Sequence, residues 1–80
     1  MSIAAETWSN QDVYIDDPYE QVMFRWEYKS TKVFRKFYGD SFEDEIHFSN
    51  RLFRDAERTG VSITEAQYAN GKPRRPHTKP

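Results

Sequence analysis

Eighty residues with a net charge of −1 make one small domain with little room for a deep core. Hydrophobic residues are 36% of the chain and aromatics 16%, so rings must supply much of the buried area, and stability at the low end of roughly 5–15 kcal/mol is expected. The absence of cysteine excludes disulfides and thiolate metal sites. With no apolar run near the roughly 20 residues of a membrane span and no signal-peptide pattern, a cytoplasmic protein with no membrane partner is expected.

Charge is sorted along the chain. Residues 1–21 hold five acids and no base, for −5, and residues 22–39 hold five bases and one acid, for +4. Residues 40–60 hold six acids and three bases, for −3, and the last twenty hold four bases and one acid, for +3. The local field is therefore more informative than the overall pI.

In chain order, residues 1–10 have no sustained period and read as a flexible N-terminus unless Trp8 docks. Residues 12–16 (DVYID) read as a short edge strand with Val13 and Ile15 on one face and Tyr14 on the other, and Asp17-Pro18 ends it. From Gln21 to Lys29 the alternation is clear. Val22, Phe24, Trp26 and Tyr28 point one way and Met23, Arg25, Glu27 and Lys29 the other, as in a half-buried strand. Ser30-Thr31 forms the turn, and Val33–Tyr38 is the returning strand. A three-residue loop would set Glu27 opposite Arg35, Tyr28 opposite Phe34 and Phe24 opposite Tyr38. A two-residue loop would set Lys29 against Lys32 and Arg25 against Lys36, which like charges disfavour. The first register predicts an aromatic core face and a basic outer face.

Gly39-Asp40 breaks the strand. Ser41 to Asp44 fits a capping box, and Phe42, Ile46, Ser49, Phe53 and Ala56 recur at helical spacing, widened by Leu52, so a helix over 42–59 is predicted, with Gly60 as a positive-φ C-terminal residue. Val61–Ile63 is extended. Thr64 and Gln67 form a second capping box opening a short helix that Asn70-Gly71 ends. The expectation is α+β: a small antiparallel sheet of two or three strands on one amphipathic helix, occupying residues 11–71, with a basic, proline-rich disordered tail over 72–80.

No catalytic, metal, cofactor or nucleotide motif stands out, and no small-molecule substrate is evident. Glu43, Asp44 and Glu45 on consecutive helix positions diverge, so they read as complement to the helix dipole. His47 has Glu43 four residues before it but no nucleophile or second histidine near it. Phe24, Trp26, Tyr28, Phe34 and Tyr38 have the makings of a base-stacking platform but are needed in the core.

The bases of the hairpin are the feature that folding explains least. Arg25, Lys29, Lys32, Arg35 and Lys36 lie across it, and Arg74 and Arg75 follow in the tail. They are either an ordinary charged surface drawn to the acidic N-terminal segment or a set of phosphate contacts. The run VMFRWEY–KSTK–VFRKFYGDSF–EDEIHFSNRLFRDA resembles the sheet-then-helix units of AP2-type and phage-integrase amino-terminal DNA-binding domains. That resemblance implies a three-stranded sheet on one helix, with the outer sheet face in the major groove. Two partner classes follow. The leading one is nucleic acid, bound by a non-enzymatic accessory module through Arg25, Lys29, Lys32, Arg35, Lys36, Arg74 and Arg75. The other is a protein partner, met by an inhibitor, immunity-like protein or complex subunit through acidic segments 1–20 and 40–45 or the mixed face Met23, Val33 and Phe37. Near-zero net charge favours the second.

Overall fold

Alternating β-branched and aromatic residues form the centre of the molecule, where three long strands pair antiparallel: β1 (Val13–Asp17), β2 (Val22–Glu27) and β3 (Lys32–Phe37). The computed structural model describes residues 8–74. After β3 come β4 (Asp44–Ile46), helix α1 (Arg51–Thr59), β5 (Val61–Ser62) and helix α2 (Glu65–Asn70). Among the described residues the strands make one sheet in the order β4-β3-β2-β1-β5. The class is α+β as expected, with five strands in place of two or three. The 12–16 segment becomes an interior strand, because β5 pairs on its far side through Ile15 opposite Ser62 and Asp16 opposite Val61.

Both hairpins turn through four residues, and the last of each, Gln21 at φ 54° and Thr31 at φ 55°, is left-handed. This loop length sets a register that differs from both alternatives weighed above. Glu27 stands opposite Lys32, Arg25 opposite Phe34 and Phe24 opposite Arg35. Because side chains alternate, the shift moves every β3 residue to the face opposite the expected one. Val33, Arg35 and Phe37 share a face with Phe24, while Phe34 and Lys36 share a face with Arg25. The aromatic face and the basic face therefore dissolve into two mixed faces.

Each face has its own cover. On one, Val13, Ile15, Val22, Phe24 and Val33 pack with Phe53 and Ala56 of α1, and Trp8, Trp26, Phe37, Ile46 and Leu52 flank them. On the other, Met23, Tyr38 and Tyr68 of α2 make a smaller cluster with Tyr14 and Ile63. Tyr38 and Phe24 are buried as expected, whereas Trp26, Tyr28 and Phe34 are half-buried.

The predicted helix over 42–59 is corrected to 51–59. Asn50, not Ser41, caps it, its side chain accepting from the Phe53 N–H at 3.3 Å. Residues 44–46 extend along β3 instead, with Asp44 opposite Arg35 and Ile46 opposite Val33. Thr64 caps α2 with Gln67 completing the box, as read from the sequence.

Gly60 ends α1 in extended backbone, at φ −74° and ψ 172°, so no left-handed residue is needed there. Glycine is required by close approach: a Cβ would sit 2.5 Å from Ile15 Cγ2 and 2.6 Å from the Ala56 carbonyl oxygen. Gly60→Ala is expected to lower unfolding free energy by about 1–3 kcal/mol through overpacking. Urea denaturation measures this, and an unchanged midpoint would contradict the packing.

Candidate functional site

Three of the seven bases expected to face a nucleic acid, Arg25, Arg35 and Lys36, are occupied within the fold. Arg25 donates through Nε and Nη2 to the two oxygens of Glu43 at 3.2 and 2.7 Å, and through Nη1 to Glu27 at 3.0 Å. Its guanidinium lies 4.2 Å from the Phe34 ring centre. Tyr68 donates to the same Glu43 carboxylate at 2.6 Å. Arg35, on the opposite face, donates to Asp44 at 2.6 Å. Lys36 is buried and donates to the carbonyls of Tyr68 and Ala69 at the C-terminal end of α2, at 3.2 and 3.0 Å. It acts as a helix cap.

These contacts set the electrostatics. The Glu43 hydrogen bonds push the Arg25 guanidinium further up from its already high range, over the opposing effect of burial. Burial, then Glu43, raises the Tyr68 hydroxyl, which stays protonated. Burial alone would raise the Glu43 carboxyl, but bonds from Arg25 and Tyr68 outweigh it and hold that group below its ordinary value.

Of the remaining candidates, Lys29 and Lys32 are exposed at the β2–β3 loop, and Arg74 is exposed beside Gly39. Arg75 lies outside the described residues. The tail is anchored at its start: Lys72 pairs with the buried carboxylate of Asp16, which also accepts from Tyr38 Oη at 2.6 Å. Hence Arg25, Lys29, Lys32, Arg35 and Lys36 do not share one face. The mixed face of Met23, Val33 and Phe37 does not exist either, since Met23 and Val33 are buried on opposite sides of the sheet. His47 bonds Ser49, through Nδ1 at 2.7 Å from Oγ, and not Glu43.

The sequence left the docking of Trp8 open and gave no sign of the cleft beside it. Trp8 docks on the α1 side, accepting from Trp26 Nε1 at 2.7 Å through its carbonyl and meeting the Trp26 and Phe53 rings edge-on at 5.8 and 6.0 Å. Beside it opens an apolar cleft of about 370 Å³ between Trp26, Thr31, Phe48 and Phe53. Phe48 itself is 57% exposed and stacks on His47 at 4.4 Å. Treating 42–50 as helix hid this arrangement. The alternation of Ile46 with Phe48 was the available signal for an extended segment.

Among the described residues, no group of three or more His, Cys, Asp or Glu could hold a metal ion. No helix there is long and apolar enough to cross a membrane.

Comparison with known proteins decides the family. The profile of the family described as Tis1 immunity protein matches residues 1–72. The chain belongs to the Tis1 immunity protein family. It is 37% identical over 70 residues to the immune protein Tis1 of Pseudomonas aeruginosa (strain UCBPP-PA14), covering 86% of this chain and 91% of that protein. It also superposes on a chain in the crystal structure of the complex between the Type VI effector Tas1 and its immunity protein. That match has a TM-score of 0.87 and 34% identity, and covers 94% of this chain and all of the other. Family membership overturns the resemblance to AP2-type and phage-integrase domains and with it the nucleic-acid-binding reading. The immunity-like alternative is the reading that stands.

The Glu43 cluster makes acid stability testable. A depressed carboxyl contributes fully above its ordinary value near 4.5 and loses that contribution as pH falls through the lower folded-state value. Urea midpoints measured from neutral pH downward should therefore fall more steeply for the wild type than for Glu43→Gln below about pH 4.5. Parallel curves would contradict the role given to this carboxylate.

Proposed function

We propose that this protein is the immunity partner of a type VI effector of the Tas1 kind, and that it neutralises the effector by binding alone, without catalysis. The observation that carries this is the match over the whole of a chain in the Tas1 complex, at an identity that goes beyond shared fold. The physical chemistry fits a binder. Internal ion pairs hold the frame stiff, so little ordering cost is left for association. A cytoplasmic location, as composition leads one to expect, belongs to the same proposal.

Isothermal titration of the purified protein into its Tas1-type effector, followed by assay of effector activity, tests the proposal. The expected result is a one-to-one complex with a Kd of about 1 nM to 1 μM and loss of effector activity at equimolar protein. Absence of binding, or a complex in which the effector keeps its activity, would refute it.

A further inference from the structure

We infer that the effector docks at the β2–β3 loop end of the molecule, with Phe48 as anchor, and that the surface received there is acidic around a projecting apolar side chain. This rests on the effector-binding reading above and says where and by what chemistry binding occurs.

A chain with few aliphatic residues has reason to bury its aromatics, yet Phe48 is left 57% exposed, stacked on an exposed His47. It divides two clefts. One is the apolar cleft of about 370 Å³ floored by Trp26 and Phe53 and walled by Trp8. The other, of about 440 Å³, lies between Lys32, Glu45 and Ile46. The hydrogen bond and edge-on rings that hold Trp8 keep the first cleft formed before any partner arrives. A few residues supply most of the energy of a protein interface, and aromatic side chains are enriched at its core.

Charge identifies what covers it. Lys29 lies within the loop that carries Thr31 into the cleft, Lys32 directly follows that loop, and Arg51 opens α1 three residues after Phe48. All three are exposed, and none has an ion pair among the described residues, whereas Arg25, Arg35, Arg54, Arg58 and Lys72 all do. In the same region Glu57 is engaged by Arg54 and Glu27 by Arg25, Asp12 accepts from the Tyr28 N–H at 3.1 Å, and Glu45 has no ion pair, so the three free bases outnumber the acids without an ion pair at this end. An apolar centre within a positive rim is complementary to an apolar projection within a negative one. Tyr19, although 84% exposed, sits in the β1–β2 loop at the other end of β2, next to the acid Glu20 and with no base in that loop.

The test measures association of the Tas1-type effector with the full-length wild type, Phe48→Ala, the double variant Lys29→Glu/Lys32→Glu, and Tyr19→Ala. Phe48→Ala should weaken binding about thirtyfold or more. The charge reversal should slow association and flatten its salt dependence. Tyr19→Ala should bind within about twofold of wild type. The double variant changes exposed loop-side residues, so its folding is retained and it stands as an independent probe if Phe48→Ala unfolds. Wild-type binding with Phe48→Ala and the charge reversal both near wild type, or with the loss falling on Tyr19→Ala, would overturn the docking surface alone. Failure of the wild type to bind would overturn the effector-binding reading itself.

Discussion

The Arg25–Glu43 ion pair is the contact on which the arrangement of the chain depends. It joins the middle strand to the connection before β4, and Tyr68 brings α2 to the same carboxylate. A two-point guanidinium–carboxylate contact is stronger and more directional than an ordinary surface pair. Both partners are largely shielded, with side-chain exposures of 19% and 30%, so loss of either leaves a partly buried charge behind. With Glu43 held here and Asp44 held by Arg35, residues 44–46 lie extended along β3. The helix then cannot begin until Asn50, and Phe48 is left outside the core.

Much of the frame was legible in the sequence. The period-two runs located β1 to β3, Asp17-Pro18 and Gly39-Asp40 marked their ends, and the Thr64–Gln67 box located α2. The register was not legible, because the residues that turn each hairpin into left-handed backbone are Gln21 and Thr31, neither of which carries the glycine or asparagine signal of such a position. The start of α1 was misread for a different reason. Phe42, Ile46 and Ser49 fall by chance in phase with Phe53 and Ala56, and a capping pattern at Ser41 reinforced the coincidence. Long-range pairing of the following acids with Arg25 and Arg35 overrode that local preference, and local sequence carries no trace of a partner eighteen residues away.

Charge segregation was visible from the start, and its meaning changed with the structure. The +4 hairpin is answered chiefly by the −3 block after it, with the acidic N-terminal segment engaging Lys72 of the tail instead. Internal complementation explains why a strongly basic hairpin occurs in a nearly neutral protein. Family membership explains why no motif stands out: an immunity protein requires a stiff frame and a complementary surface, and neither needs a fixed spacing of reactive groups. Among the described residues, Lys29, Lys32 and Arg51 are exposed bases without an ion pair, and they lie close to the exposed Phe48.

A double-mutant cycle on Arg25 and Glu43 tests the central claim most directly. Unfolding free energies of the wild type, Arg25→Ala, Glu43→Ala and the double variant would be measured in urea at neutral pH. The account predicts a coupling of about 1–3 kcal/mol between the two side chains. A coupling indistinguishable from zero would mean that the pair decorates the fold without organising it, and would contradict the account.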